Sequence, residues 1–277
     1  MYSPVAIVFI HYGDSDYLRY SISQARRSNP KSPVYLIGDE NSAGKYLDAE
    51  HIPYREYVTA ARAFASTYHH LNSNARSFEL FCLMRWFILR DFMRLKGIQQ
   101  AVYLDSDVML YEDMHYEHFR LYDFDLAVTG VAPPVLVNNP AALESFCSLI
   151  EESYIDTGRL SFLEARYRAM QEAGRLGGIC DMTFWELFIA SGQYRISDLS
   201  IESGEAVYDR NIFLSDDFEM QDGIKRIVWH EAKPYGYRGE ERGTVRFKGL
   251  HFHGPGKDIM NRFMSPVAPS VSGRPTC

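Results

Sequence analysis

The chain opens on an apolar run, Val5-Ala6-Ile7-Val8-Phe9-Ile10-His11, with no polar alternation, the pattern of a strand covered on both faces. Tyr12-Gly13-Asp14-Ser15-Asp16-Tyr17 closes it, and Ser15 or Asp16 can cap a helix predicted over 17–27. Asn29-Pro30-Lys31-Ser32-Pro33 breaks that helix, Val34-Tyr35-Leu36-Ile37 reads as a second strand ending at Gly38-Asp39, and 52–58 reads as a short third. Strand, helix, strand in this order implies a right-handed parallel crossover, which places the tips at 12–17 and 38–39 side by side.

Residues 77–96 are apolar nearly all round, from Phe78, Leu80 and Phe81 to Phe92 and Met93, and therefore form a buried helix. Arg90, with Asp91 beside it and Arg94 one turn on, is expected on a solvated edge. Arg85 has Phe81, Cys82, Ile88 and Leu89 as helical neighbours, so its cation points inward and needs an anionic partner. That partner is either a structural carboxylate or a ligand.

The next run, Ala101-Val102-Tyr103-Leu104-Asp105-Ser106-Asp107-Val108-Met109-Leu110-Tyr111, is a buried strand interrupted by two carboxylates. They should project from a strand tip into a crevice near the tips at 12–17 and 38–39, where α/β proteins bind ligands. Carboxylates so placed repel each other unless a cation sits between them, and a divalent ion with oxygen ligands is the ordinary remedy. Asp105 and Asp107 thus read as a metal-binding Asp-x-Asp, against the plainer reading of an acidic turn after a strand.

Further on, 125–129 is a strand ending at Gly130, Val131-Ala132-Pro133-Pro134 prevents its continuation, and 135–137 is another strand. Asn138-Asn139-Pro140 caps a helix over 141–154, with either asparagine as the cap or as an amide gripping a polar ligand. A surface helix over 161–173 and a flexible join at 174–178 precede a buried helix that starts at Asp181, itself a cap or a site carboxylate. From 196 onward the pattern changes to short antiparallel strands, at 224–230, 235–238 and 245–250. The last runs into Gly249-Leu250-His251-Phe252-His253-Gly254-Pro255-Gly256-Lys257, where a neutral imidazole can complete a metal site and glycine-flanked backbone with an ammonium suits a phosphate. Residues 1–263 read as one domain, and 264–277, rich in Pro, Ser, Val and Gly, as a disordered tail.

Composition narrows the classes. A net charge of -7 and the absence of a Lys/Arg run argue against nucleic-acid binding, since phosphate backbones need a basic face. The four cysteines are far apart with no Cys-x-x-Cys, so neither a disulfide framework nor a thiolate zinc site is expected. No apolar run is long enough for a signal segment or a membrane span, which points to the cytoplasm and leaves open work at a membrane surface.

Two of these stretches carry a family resemblance. Tyr103-Leu104-Asp105-Ser106-Asp107 resembles a Tyr-Leu-Asp-x-Asp motif, and His251-Phe252-His253-Gly254-Pro255-Gly256-Lys257 resembles a His-Phe-x-Gly-x-x-Lys motif, both of glycosyltransferase family 8, the glycogenin-like and lipopolysaccharide-galactosyltransferase-like enzymes. The likeness runs from Val5 to about Lys257. It implies the GT-A fold, an α/β architecture with a mostly parallel central sheet flanked by helices and a small antiparallel C-terminal portion. It further implies a hexosyltransferase using a nucleotide-sugar donor, most simply a UDP-sugar, a saccharide or glycoconjugate acceptor, and retention at the sugar carbon. Asp105, Asp107 and His251 would bind manganese or magnesium, and Gly254 and Lys257 the diphosphate. Asp14-Ser15-Asp16-Tyr17 is similar to the family's Asp-x-Asn-Tyr at the nucleoside, which puts Tyr12, Asp14 and Tyr17 on the donor, with Ser106 and Asn138 lining it. Arg85 matches the donor-sugar arginine, and Asp181 would orient sugar hydroxyls or act as a base. The chain departs from the family in having Asp181-Met182 for Asp-Gln and Gly130-Val131-Ala132-Pro133 for Phe-Asn-x-Gly.

Other classes fit less well. An Asp-x-Asp phosphatase places its nucleophile on the first strand, and a sugar-1-phosphate nucleotidyltransferase wants a basic, Gly-rich loop where His11-Tyr12-Gly13-Asp14-Ser15-Asp16 is acidic. A non-catalytic nucleotide or sugar binder would carry the same residues and is separated by assaying donor breakdown.

Overall fold

The computed structural model describes residues 4–130, 132–202, 206–240 and 242–266. Strand β1 (Ala6–His11), helix α1 (Leu18–Ser28) and strand β2 (Val34–Gly38) form the parallel unit that the opening pattern predicts, with Ile7 opposite Val34. The cap differs from expectation. Tyr17 occupies it without a side-chain bond, because Ser15 meets His11 Nε2 at 3.0 Å and Asp16 pairs with Arg19. β3 (Glu50–Pro53) also stops short of 58, since the chain turns at Pro53 into a 3-10 helix, Tyr54–Tyr57, that buries Tyr57.

Helices α2 (Thr59–Thr67) and α3 (Arg76–Lys96) lead into β4 (Ala101–Leu104) and β5 (Val108–Leu110). They are followed by α4 (Met114–Arg120), β6 (Leu126–Thr129) and β7 (Ala132–Val137). Then come α5 (Pro140–Ile155), α6 (Thr157–Glu172) and α7 (Asp181–Ala190). The remaining strands are β8 (Ile196–Asp198), β9 (Ala206–Tyr208), β10 (Met220–Gln221), β11 (Ile224–Lys225), β12 (Ile227–His230), β13 (Lys233–Tyr237) and β14 (Thr244–His251). Arg226 divides the strand expected over 224–230 into β11 and β12.

The central sheet has the order β3-β2-β1-β4-β7-β6-β8. Every neighbouring pair in it is parallel except those made by β7, which runs antiparallel to both β4 and β6. Alternation along β1 shows how the sheet is covered. Ala6, Val8 and Ile10 face a core with Trp86, Phe87, Phe146 and Trp185 from α3, α5 and α7, while Ile7 and Phe9 face Leu18, Ile22 and Ala25 of α1. Each large side chain so buried contributes about 1.5–3 kcal/mol. The α/β class, the mostly parallel sheet between helices and the antiparallel C-terminal portion are therefore as the sequence implied.

A second sheet has the order β12-β13-β14-β5, with β9 alongside β14. β5 belongs to it although β4 belongs to the first, so Asp105-Ser106-Asp107 is the stretch where the chain passes from one sheet to the other. That crossing positions the site.

One expectation about mobility is also revised. The join at 174–178 is pinned, since Ser73 N donates to Gly177 O at 3.1 Å, Ile179 N donates to Leu71 O at 2.8 Å, and Gly178 bridges to Asn72. Of the tail, Ser265 docks on α1 through Gln24 at 2.8 and 2.9 Å; 267–277, like Val131, lie outside the described residues. Among the described residues no helix is long and apolar enough to cross a membrane.

Candidate functional site

The site forms where β4 ends. β5 pairs antiparallel with β14, and the register places Val108 opposite His251. His251 is thereby brought against Asp107: its Nε2 lies 3.3 Å from Asp107 Oδ1, and Phe252 N donates to Asp107 O at 2.9 Å. One ligand atom from each of Asp105, Asp107 and His251 lies within 4.8 Å of the others. Lys257, in the 3-10 segment Gly254–Phe263, places Nζ 3.3 Å from Asp107 Oδ2 and 5.2 Å from the Tyr17 ring centroid. Gly254 opens that segment at φ 52, a left-handed conformation that glycine adopts at little cost.

Arg85 is the inward cation that its helical neighbours predicted, with only 11% of its side chain exposed. Its partners are two carboxylates of the site. It donates to Asp105 Oδ1 at 2.5 Å and to Asp181 Oδ2, and it lies over the Trp86 and Tyr103 rings. Asp181 is not the cap of α7. Cys180 holds that position, and Asp181 Oδ2 accepts from both Arg85 and Trp86 Nε1 while Oδ1 accepts from Met182 N.

The charges respond to these neighbours. Burial pushes the Asp105 carboxyl up, against the pull of Arg85 and with the repulsion of Asp107. Burial also opposes the charge on Asp107, but the hydrogen bond and charge of His251, with Lys257, outweigh it and hold the group at about 2. His251 is raised: burial disfavours its cation, and Asp107 more than compensates. Two carboxylates thus share a small buried space with an imidazole, and Arg85, His251 and Lys257 neutralise them.

The tips at 12–17 and 38–39 meet beside this cluster. Gly13 N donates to Asp39 Oδ2 at 3.2 Å, and Tyr17 OH lies 3.4 Å from Ser106 Oγ. Tyr12 is exposed, with its ring centroid 6.1 Å from that of Tyr54 and 6.5 Å from that of Phe81. Asp14 is engaged by Lys45 and by Tyr46 OH.

Asn138 stands apart from this cluster. It follows Val137, which pairs with Ala101 at the start of β4, whereas Asp105 follows the strand's end; four residues at about 3.3 Å each separate the two. Its amide donates to Leu121 O and Phe124 O at 2.9 and 3.1 Å, and its oxygen meets His118 Nδ1 at 2.9 Å. Asn139 is the cap of α5. Arg90 is not on a solvated edge either: it is 14% exposed, covered on the Phe87 ring and paired with Asp91 and Glu144.

Sequence reasoning missed three contributors. Tyr103 OH donates to Asp105 Oδ1 at 2.8 Å, Trp86 Nε1 donates to Asp181 at 3.2 Å, and Ser21 Oγ donates to Ser106 O at 2.6 Å. A signal existed for Tyr103, which shares a strand face with Asp105 at a spacing of two; none existed for Ser21.

No family model matches the sequence, and no curated protein matches it. Solved structures are similar to it at low identity. Mouse xyloside xylosyltransferase 1 in its apo form shares 10% identity, over 71% of this chain and 85% of that one, with a TM-score of 0.49. An active-site mutant of LgtC shares 12% identity, over 96% of this chain and 98% of that one, with a TM-score of 0.49. The glycosyltransferase GlyE of Streptococcus pneumoniae shares 17% identity, over 72% of this chain and 45% of that one, with a TM-score of 0.37.

Proposed function

We propose that the chain is a metal-dependent glycosyltransferase that moves a sugar from a nucleoside diphosphate sugar, a UDP-sugar, to a hydroxyl of a saccharide or glycoconjugate, with retention. The observation that carries this reading is the convergence of Asp105, Asp107 and His251 within 4.8 Å, with Lys257 on one side and the Arg85–Asp181 pair on the other.

The donor set suits a divalent cation. Carboxylate oxygens are the ligands that manganese and magnesium take, and the added imidazole favours manganese, the transition ion of the two; the buried Nδ1 of His251 has no protein partner among the described residues. When bound, the ion supplies positive charge to the oxygens of a diphosphate.

The rest of the chemistry falls to the chain. Lys257, a third exposed, presents an ammonium where negative charge develops as the diphosphate departs, which is stabilisation placed at the transition state. Gly254 leaves the backbone open to approach, since a Cβ there would meet nothing within 4 Å. Arg85, fixed between two carboxylates and two rings, holds Asp105 and Asp181 at a set separation beside the space for the sugar. Both oxygens of Asp181 already accept from protein donors, so using it as a base would cost buried hydrogen bonds. That arrangement supports an orienting role and a transfer in which the departing phosphate oxygen takes the acceptor's proton.

The test is to incubate the protein with manganese and a panel of nucleotide sugars and follow release of free nucleoside diphosphate. Release from one donor class that depends on the metal is the expected result; no release from any donor would sink the enzyme reading.

A further inference from the structure

Behind the metal ligands lies a charged pair that the transfer does not use. Asp209 and Lys225 are 3% and 1% exposed. Lys225 Nζ donates to Asp209 Oδ1 at 2.5 Å, to Asp216 Oδ2 at 2.9 Å and to Asn211 O at 3.0 Å. A buried ion pair is a poor device for stability alone, since packed apolar side chains do as well or better. What distinguishes this one is its other contact.

Asp209 follows β9, whose ladder with β14 ends at the pairing of Tyr208 with Gly249. Just beyond, Asp209 N donates to Gly249 O at 3.0 Å, and its Oδ2 accepts from His251 N at 3.2 Å. A side-chain carboxylate thus continues the ladder where a backbone carbonyl would otherwise stand. Ile212 N donates to His251 O at 2.9 Å, and Lys225 N donates to Ile212 O at 2.9 Å. Both main-chain polar groups of His251 are therefore held by residues 209–212, and Lys225 holds that segment from within.

The ring of His251 lacks the usual second support. Metal-ligating imidazoles ordinarily donate their other ring N–H to an acceptor that fixes their rotation, yet Nδ1 here has no such protein partner among the described residues. The ring packs on His253, with centroids 3.9 Å apart, and meets Asp107 at Nε2. Its direction must come from the main chain that presents it.

We propose that Asp209, held by Lys225, is a positioning residue for His251, fixing the backbone from which the imidazole is presented to a divalent cation shared with Asp105 and Asp107. This rests on the metal reading above. Manganese titration of the full chain in the presence of UDP tests it, read beside the melting temperature of the metal-free protein. Asp209→Asn raises the manganese Kd roughly 10- to 100-fold, the usual cost of losing an outer support. Asp209→Glu keeps the charge opposite Lys225 but displaces the carboxylate, and raises the Kd as well, which secures the result if the asparagine variant folds poorly. Asp216→Asn removes another partner of Lys225 without touching His251; it lowers the melting temperature and leaves the Kd within about twofold, because Asp209 keeps its bonds to Lys225 and to His251 N. Equal affinity in parent and both Asp209 variants overturns the positioning role, and so does an equal loss in Asp216→Asn, which would mark a general stability effect. A parent that binds no manganese overturns the metal reading and this inference together, a result distinct from the other two.

Discussion

Arg85→Ala is the perturbation whose size follows most directly from the site. The side chain is 11% exposed and neutralises Asp105 and Asp181, themselves 21% and 6% exposed. Removing one member of a buried pair leaves the others charged and undersolvated, at a cost of about 3–5 kcal/mol. At roughly 2–4 °C per kcal/mol for a chain of this size, the melting temperature should fall by about 6–20 °C. The loss also has a pH signature. Burial already holds the Asp105 carboxyl above its ordinary value while Arg85 pulls it down, so the variant raises it further. A group with a raised folded value binds its proton more tightly in the native state than in the unfolded one. The cost is therefore present in full above that raised value and fades as pH falls through it towards the unfolded carboxylate range near about 4. Manganese should restore part of the loss by placing positive charge beside Asp105. Urea denaturation of parent and variant at several pH values measures both effects. A loss under about 1 kcal/mol, as exposed pairs give, or one that does not shrink on acidification, would refute the reasoning.

His251→Ala or Asp107→Ala should abolish the manganese-dependent stabilisation by UDP, which at a hundredfold excess over Kd is about 2.7 kcal/mol in the parent; variants stabilised as the parent is would show that the ligand set is wrong. Asn138→Ala should cost about 1–3 kcal/mol by orphaning the Leu121 and Phe124 carbonyls. The same variant should leave stabilisation by UDP and manganese unchanged in thermal-shift measurements, and a change there would return Asn138 to the donor site.

Local pattern made the first half of the site legible. The apolar run of β1, the break at Pro30 and Pro33 and the all-round apolar α3 are decided by residues within a few positions, and they led to the strand tips and to the inward Arg85. What pattern could not give is pairing across long separations. β5 looked like a continuation of β4, yet it joins β14, and only that register explains why His251 meets Asp107. Asn138 stands apart from the cluster for a related reason: the antiparallel course of β7 carries it to the far end of β4, and nothing local states a strand's direction. Ser15 and Asp16 were plausible caps whose side chains had better partners in His11 and Arg19. Asp209 and Lys225 gave no signal at all, because a carboxylate that substitutes for a ladder carbonyl is defined only by the strand beside it.

The central claim is that Asp105, Asp107 and His251 hold one metal against which the donor's diphosphate lies. A crystal soaked with manganese and UDP and recorded at an anomalous wavelength measures this directly. The account predicts an anomalous peak between the two carboxylates and the imidazole, with diphosphate density between it and Lys257. A manganese peak elsewhere, or UDP bound with Asp105 still paired to Arg85, Asp107 still paired to His251 and Lys257, and no metal among them, would contradict it.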